Sequence, residues 1–591
     1  MSDFIYSKKT IRQGKLTKEI QRIYHEDKPY VREFHGEWGS LAVSNNHYNG
    51  FQPYETNEHI CIVMGGPVLY FQDNGFLEDP PGCMGTQAIF SRWLKGDINW
   101  GEDLSGPFVI LIINKDTSMV KCVTDLMSFI PVYAFYDSVN IQISTHVDVL
   151  ARVSSQQDNI DMVSQIDFIL HGVITYPYTT YKMIKQISPA TEYSIADNSC
   201  ELHSINYWVP EEKSDYKTLN QAAEELRNGL QNYIYKITNG VSSNIAQFIS
   251  GGEDSRVIAA LMPKDYKHDA FVFLDYMNRE GKVAKKAANA YGANFHLGKR
   301  SKLHYLEIMS ACADLVGSGS QYTHGHTYGF HKSCKLNEYS AVFGGLYSDA
   351  LLKGARIKKI SGLRLIPFLP QIKDRNYSVA KQLLNNIFNS EVLSELTKRR
   401  QEHLKYVKSF RKESSEEWFH LWPSSMNPNI PNHHINRRLF RSYEPFMSKD
   451  VVKISSSIPQ KWKLNRRLFH KTAKPFIKPT KWLFHSEGRL PYFPWYINSF
   501  LQLFVWTYQQ LGRRTGIIKG NQGPWGEWNK VMNSPEWKQA INEYSEGIKV
   551  ISSVINEKEI EIDLLFRDKN LGRTQRINLM QTLYSNLKNR I

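Results

Sequence analysis

The residues best suited to chemistry form a short loop of small side chains. Residues 250–255, Ser-Gly-Gly-Glu-Asp-Ser, follow the strand-like apolar residues 244–249 and open an amphipathic helical pattern. Backbone N–H groups at a helix start lack intrahelical partners and carry the positive end of the helix dipole, so they bind phosphate oxygens. The two glycines allow close approach of the backbone, and the two serines add hydroxyl donors. The loop therefore predicts a phosphate-binding site.

Asp254 is the unexpected member of this loop. A carboxylate beside a bound phosphate is repelled unless a cation lies between them, so its presence indicates Mg²⁺ bridging Asp254 to the phosphates. The alternative is an ordinary strand-to-helix turn in which Asp254 is a first-turn carboxylate. A bare pair of glycines would favour that alternative, whereas the full Ser-Gly-Gly-x-Asp-Ser pattern after an apolar strand favours a nucleotide site.

The loop resembles the pyrophosphate loop of the ATP pyrophosphatase superfamily, in the form used by asparagine synthetase and its relatives. It differs from a Walker loop because it lacks the Gly-Lys-Ser/Thr ending. The resemblance implies that ATP is cleaved between its α and β phosphates. A substrate would be adenylated while pyrophosphate stays in the loop.

A second loop, residues 341–349, resembles the Ser-Gly-Glu-Gly-Ser-Asp-Glu motif of the same family. On that match Asp349 is a second Mg²⁺ ligand opposite Asp254, although a strand-end turn carboxylate is the alternative for Asp349 alone. Leu346 and Ala350 replace family residues, so the activation of the nucleophile stays unassigned. The residues expected to bind the nucleotide are Ser250, Gly251, Gly252, Asp254, Ser255, Val272 and Gly345.

The substrate side departs further from the family. Relatives carry an Arg-x-Lys-x-x-Phe segment whose lysine stabilises the charge that forms when the adenylate is attacked. The corresponding residues here are 485–491, with Glu487 in the lysine position. Lys471 and Arg489 are the candidate catalytic replacements.

The elements that must position these residues read as two domains. In residues 209–591, strand, helix and strand repeat, which predicts a parallel sheet with helices on both faces and ligands beyond the carboxyl ends of its strands. The resemblance implies a Rossmann-like fold of the adenine nucleotide alpha hydrolase type, and the residues after about 360 read as a helical extension rich in Lys, Arg, Trp and Tyr.

Residues 1–208 read mostly as strands, which predicts a layered α+β domain. The segments 92–96, 103–108 and 125–133 resemble the class II glutamine amidotransferase domain of asparagine synthetase, which implies an Ntn-hydrolase-like αββα sandwich. Relatives begin with a catalytic cysteine, but Ser2 stands here and the family's Asn-Gly-Glu segment is missing. We expect the glutaminase activity to be lost, with Ser2 as nucleophile the alternative.

Composition limits the classes of partner. The 591 residues are 41% hydrophobic and 13% aromatic, which is typical of a packed globular protein. The net charge of +15 is dispersed, and we expect its short clusters, residues 398–400 and 437–441, to lie on solvated helix faces rather than on nucleic acid. No run reaches membrane-spanning length, so we expect no membrane partner and a soluble, cytoplasmic protein. Six scattered cysteines indicate neither a disulfide framework nor a zinc site.

The resemblance to asparagine synthetase implies an AMP-forming carbon–nitrogen ligase that uses ATP and Mg²⁺. It would adenylate a carboxylate for attack by an amine or ammonia, as do glutaminase-deficient members such as β-lactam synthetase and lasso peptide cyclase. A catalytically impaired ATP-binding scaffold for a partner protein or peptide, and an asparagine synthase that uses Ser2, remain alternatives.

Overall fold

The computed structural model describes residues 3–78, 82–195, 202–241, 244–266, 268–358, 386–515, 521–556 and 561–588. Strands dominate up to residue 206, as the apolar and β-branched runs predict. These strands are β1 (Phe4–Ser7), β2 (Val31–Gly36), β3 (Gly39–Ser44), β4 (Tyr54–Glu55), β5 (His59–Gly65), β6 (Val68–Leu69), β7 (Leu104–Ser105), β8 (Phe108–Asn114), β9 (Val120–Thr124), β10 (Tyr133–Tyr136), β11 (Ile141–Ser144), β12 (Ile184–Gln186), β13 (Thr191–Ile195) and β14 (Leu202–Asn206).

Two six-stranded antiparallel sheets are built from these strands, in the orders β12-β10-β11-β1-β3-β2 and β14-β13-β9-β8-β5-β4. Alternate side chains of both sheets, such as Phe4, Leu41, Ile62 and Leu111, share one apolar cluster, so the sheets pack face to face. Helices cover the outer faces. They are α1 (Lys15–Gln21), α2 (Met84–Leu94), α3 (Trp100–Asp103), α4 (Val147–Val153) and α5 (Met162–His171).

A parallel sheet follows, as the repeated strand–helix pattern predicts. Its strands are β15 (Ile245–Phe248), β16 (His268–Leu274), β17 (Asn294–Lys299), β18 (Ala341–Phe343) and β19 (Ser442–Tyr443), in the order β17-β16-β15-β18-β19. Apolar residues on both of its faces pack against helices. The helices of this region are α6 (Leu219–Thr238), α7 (Glu253–Leu261), α8 (Arg279–Ala290), α9 (His304–Glu307), α10 (Met309–Val316), α11 (Phe330–Ser333) and α12 (Ser348–Leu351).

The last third is helical, also as predicted. Its helices are α13 (Ser390–Lys408), α14 (Ser415–Trp418), α15 (Pro431–Leu439), α16 (Lys449–Ser456), α17 (Gln460–Lys463), α18 (Arg467–Ala473), α19 (Trp495–Arg514), α20 (Trp528–Met532), α21 (Pro535–Tyr544), α22 (Ile548–Ile551), α23 (Ile562–Arg567) and α24 (Arg573–Lys588). Among the described residues, every helix is too short or too polar to cross a bilayer.

One expectation about charge is wrong. Arg437 and Arg438 are not on a solvated helix face, because they are 0% and 2% exposed, and Arg400 is 4% exposed. Each has an acidic partner: Asp3 faces the two α15 arginines, and Asp167 faces Arg400. Burying an arginine is costly unless it is paired, so these contacts explain how the side chains can lie inside.

Candidate functional site

The two predicted loops meet at one edge of the parallel sheet. Strands β15 and β18 are neighbours, and their carboxyl ends lead into residues 249–252 and 344–347. A Cβ atom on Gly345 would lie 3.3 Å from the Cβ of Asp254, so the glycine lets the two loops come together. The topology therefore brings Asp254 and Asp349 into one site.

The phosphate-loop candidate is hydrogen-bonded within itself. The Ser250 N–H donates to Ser255 Oγ at 3.1 Å, and the Gly252 N–H donates to Ser250 Oγ, also at 3.1 Å. Both serine hydroxyls thus brace the turn that precedes α7. These contacts hold the loop in a defined shape, and neither of them uses the Gly251 N–H.

A carboxylate already lies against the Gly251 N–H. Glu280 Oε1, from the first turn of α8, accepts this N–H at 2.5 Å, and Glu280 is 3% exposed. Its other oxygen, Oε2, is buried without a hydrogen-bond partner among the described residues. A phosphate at Gly251 must therefore displace Glu280 or bind beside it. The contact also shows that this N–H faces a position suited to an anion.

Lys353 lies between the two aspartates. Its Nζ forms an ion pair with Asp254 Oδ1 and lies 3.0 Å from Asp349 Oδ1 and 3.8 Å from Glu253 Oε1. The ammonium lowers the pKa of Asp349 below its ordinary value. Burial raises the pKa of Asp254, and the charge of Lys353 acts against that rise.

Glu253 forms ion pairs with two further cations, Arg466 and Arg489. Arg466 Nη1 contacts Glu253 Oε1, and Arg489 Nη1 lies 3.3 Å from the same oxygen. Burial favours the neutral acid, but the charges of Arg466, Lys353 and Arg489 outweigh it and hold the pKa of Glu253 well below its ordinary value. This carboxylate therefore stays ionised and fixes two guanidinium groups at the site.

These charges border a cavity of about 590 Å³. Arg489 lines it and is 7% exposed, which is the location expected of a residue that meets a ligand. Acidic, basic, amide and aromatic side chains all contribute. The lining residues that carry charge are Glu253, Asp349, Lys353, Arg356, Arg466, Glu487 and Arg489.

Other predicted site residues lie elsewhere. Lys471 is exposed near the end of α18 and does not line the cavity; its carbonyl oxygen accepts from Arg227 at 3.3 Å. Val272 is 7% exposed inside β16, two residues before the strand ends. The other predicted nucleotide-binding residues lie at the sheet edge beside the cavity and do not line it. They are residues 250–252, Asp254, Ser255 and Gly345. Ser2 lies outside the described residues.

Three residues at this site are not indicated, or only weakly indicated, by local sequence patterns. Arg466 reaches Glu253 across 213 positions, which no local pattern signals. Glu280 looks like an ordinary first-turn carboxylate of α8. Lys353 had the best signal, because it follows Asp349 by four residues and an i,i+4 pair can meet on a helical turn.

The backbone carries strain at the same place. Tyr347 has φ of 77°, and Asn465 and Arg466 have φ of 54° and 59°, all in the left-handed region that non-glycine residues rarely adopt. Tyr347 precedes Asp349, and Asn465 and Arg466 both line the cavity. Strained non-glycine residues cluster at ligand sites, so this clustering supports the assignment of the cavity as functional.

Glu444 is hydrogen-bonded to the second predicted loop, residues 341–349. It follows β19, is 1% exposed, and accepts the Leu346 N–H at 2.9 Å and the Ser442 hydroxyl at 3.2 Å. Burial raises its pKa to about 7. The carboxyl group therefore fixes the turn that leads to Asp349.

The resemblance to asparagine synthetase implies Mg²⁺ at Asp254 and Asp349, and the side chains as they lie do not fit it. The Lys353 ammonium already occupies the space between the two carboxylates, and a divalent ion there would meet a like charge at contact distance. The described residues also contain no group of three or more His, Cys, Asp or Glu side chains that could hold a metal ion.

Comparisons with known proteins assign no family. No family model matches the chain, and no curated protein matches its sequence. One solved structure, the allosteric regulatory enzyme of purine biosynthesis, is 10% identical over 42% of this chain and 60% of its own, with a TM-score of 0.24. Glutamine phosphoribosylpyrophosphate amidotransferase from B. subtilis, complexed with ADP and GMP, is 10% identical over 50% and 65%, with a TM-score of 0.20. The chain thus spans less than two thirds of either protein, and at these TM-scores neither similarity assigns a fold or function to it.

Proposed function

We propose that this chain is an ATP-dependent ligase that forms amide bonds and releases AMP and pyrophosphate. One observation carries the proposal: neighbouring parallel strands deliver the Ser-Gly-Gly-Glu-Asp-Ser loop and the Gly345 loop to the same sheet edge, beside a cavity bordered by Arg466 and Arg489. Ligands of open α/β sheets bind beyond the carboxyl ends of the strands, and two guanidinium groups suit phosphate oxygens.

The reaction needs few protein groups. A substrate carboxylate attacks the α phosphorus of ATP, the bond to the bridging oxygen breaks, and pyrophosphate leaves as the acyl-adenylate forms. An amine or ammonia then attacks the acyl carbon, loses a proton, and AMP leaves. Arg466, Arg489 and Lys353 supply positive charge where the leaving pyrophosphate gains negative charge. No step is assigned to a metal ion.

The phosphate must compete with groups already in place. Glu280 accepts the Gly251 N–H, and Glu253 pairs with both arginines. We infer that phosphate entry rearranges these contacts. The loop's internal serine hydrogen bonds can stay, because they do not use the Gly251 N–H.

Pyrophosphate release tests this proposal. The purified chain is incubated with ATP, Mg²⁺ and a panel of carboxylates and amines, and AMP and pyrophosphate are measured. AMP and pyrophosphate formed in equal amounts, and only with a carboxylate present, are the expected result. ADP and phosphate as products would contradict it.

An ATP-binding scaffold without turnover is the second candidate. It is favoured by the same two contacts, Glu280 on Gly251 and Lys353 between the aspartates, because both fill positions that a turning-over enzyme would keep for its ligands. ATP binding measured by calorimetry, with no pyrophosphate released from any carboxylate, would favour the scaffold. Absence of both binding and release would reject both candidates.

A further inference from the structure

The Lys353 side chain is enclosed in a way that resembles a bound ion. The residue is 5% exposed, and its Nζ is surrounded by the carboxylates of Glu253, Asp254 and Asp349. On the remaining side the ammonium lies 4.4 Å from the centroid of the Phe469 ring. Carboxylates and a ring face all stabilise a cation, so the site is built around a positive charge.

The local chain fixes where that charge lies. Asp349 is in the first turn of the short helix α12, and Lys353 follows four residues later, so the two side chains lie on the same side of one turn. Asp254 reaches the same ammonium from the first turn of α7. The loop that supplies one aspartate therefore also supplies the cation.

We propose that Lys353 is a built-in cation that replaces a divalent metal ion between Asp254 and Asp349, so that this site binds anionic ligands without a metal there. The kind of anion, a nucleotide or pyrophosphate, rests on the proposed function. The position of Lys353 between the two aspartates is independent of the proposed function.

Charge balance supports the replacement. Two neighbouring carboxylates without a cation repel each other, and a divalent ion would relieve that repulsion. A single ammonium does the same here and occupies the space between the two carboxylates. Removing the lysine side chain should therefore create a metal site from the same two aspartates.

Mn²⁺ binding to the full-length chain tests this directly, with free Mn²⁺ followed by electron paramagnetic resonance. We expect the unmodified chain to bind no Mn²⁺ that depends on Asp349. We expect Lys353→Ala to bind one Mn²⁺ per chain, and the double variant Lys353→Ala with Asp349→Asn to lose it. Lys353→Met, which removes the charge but keeps most of the side-chain length, covers the case in which the alanine variant fails to fold.

Lys463→Ala is the matched control. Lys463 is also buried and pairs with a buried carboxylate, Glu417, at 2.8 Å, but no second aspartate or glutamate pairs with it among the described contacts. It should gain no Mn²⁺. One Mn²⁺ bound by the unmodified chain and lost with Asp349→Asn would overturn the proposal, as would folded Lys353 variants that bind none.

A separate measurement distinguishes this inference from the proposed function. The unmodified chain is titrated with ATP and with inorganic pyrophosphate, each in EDTA and in Mg²⁺. For each ligand, the dissociation constants in EDTA and in Mg²⁺ should agree within about twofold. Binding that needs Mg²⁺ and Asp349 together would overturn the replacement. Absence of any nucleotide binding would reject the proposed function, while the Mn²⁺ result would still decide the role of Lys353.

Discussion

At the scale of single residues, the site is a cluster of cations, two of which share one carboxylate oxygen. Glu253 holds Arg466 and Arg489 on one oxygen, and Lys353 lies 3.8 Å from that oxygen. Arg489 was a candidate from the sequence and lines the cavity, whereas Lys471 was a candidate and does not. A phosphate entering the cavity competes with Glu253 for the two guanidinium groups.

Arg466→Ala should therefore weaken ATP and pyrophosphate binding by about tenfold or more, since a hydrogen bond to a charged group contributes about 1.5–3 kcal/mol. Arg466→Lys, which keeps the charge, should recover part of the loss. Lys471→Ala is the control and should bind as the unmodified chain does, because Lys471 is exposed and lies off the cavity. Isothermal titration calorimetry measures all three. If Lys471→Ala weakened binding while Arg466→Ala did not, the placement of Arg466 at the ligand site would be contradicted.

Glu444 predicts a pH dependence of stability. Burial raises the pKa of Glu444 from its ordinary value of 4.5 to about 7, because the folded chain favours the neutral acid. The stabilisation of the folded chain by this neutral acid is therefore fully present below pH 4.5 and is lost as pH rises through 7. A pKa rise of this size corresponds to about 3 kcal/mol. The melting temperature of the unmodified chain should therefore fall more between pH 5 and pH 8 than that of Glu444→Gln. Asp125, whose burial also raises its pKa to about 7, is unchanged in both proteins, so equal slopes would contradict the assignment to Glu444.

At the scale of elements, the sequence predicted what depends on long local patterns. The apolar runs 60–64, 108–113, 119–123 and 270–274 predict strands, and β5, β8, β9 and β16 match them within one or two residues. The helical spacing of apolar residues over 86–94 predicts a helix, and α2 begins at Met84. The apolar run 68–71 predicts a strand of four residues, but β6 ends at Leu69, and Tyr70 and Phe71 instead contact Asp450 and Arg92. Such contacts come from distant parts of the chain, so no local pattern contains them.

The predicted loops follow from local sequence, whereas the side chains that contact them do not. A strand followed by Ser-Gly-Gly-x-Asp-Ser indicates where a loop lies in an α/β sheet. This pattern cannot indicate that Glu280 of α8 accepts the Gly251 N–H. A different placement of α8, or a different rotamer of Glu280, would leave that N–H without this partner. The contact depends on the packing of α8 against the sheet.

Gly344→Ala should destabilise the turn after β18. An added Cβ would overlap the Glu444 carboxylate, which is buried and holds the Leu346 N–H, so the carboxylate would have to move without access to water. The expected result is a lower melting temperature and weaker anion binding. Gly523→Ala is the control, since its Cβ would meet nothing closer than Asn521 Oδ1 at 3.6 Å. An unchanged melting temperature for Gly344→Ala would contradict this account of the turn.

At the scale of the whole molecule, the two predicted domains share a core. One apolar cluster contains Phe51 and Val63 from the antiparallel part together with Ile245 and Phe343 from the parallel sheet. Hydrogen bonds also cross between the parts, such as Tyr48 to the Ser442 carbonyl at 2.7 Å. The boundary at residue 208 stays a prediction, but these contacts predict that the parts unfold together.

Asp3 ties the start of the chain to α15. It is 1% exposed, and Arg438 donates to it through two nitrogens, at 2.8 and 2.7 Å, while Arg437 donates at 3.2 Å. Burial would favour the neutral acid, but the two guanidinium groups hold the pKa of Asp3 far below its ordinary value. Asp3→Asn keeps the shape and removes the charge, so it leaves two buried arginines short of a counter-charge.

We expect Asp3→Asn to cost about 3–5 kcal/mol, since breaking a buried ion pair leaves charge uncompensated. Glu55→Gln is the control, because Glu55 pairs with Arg32 and Lys115 near the surface and such surface pairs contribute about 0–1 kcal/mol each. Urea unfolding followed by tryptophan fluorescence measures both variants. Since the parts share a core, the whole transition of Asp3→Asn should shift to lower urea. A shift confined to one of two separate transitions would show instead that the parts unfold independently, with Asp3 stabilising only one of them.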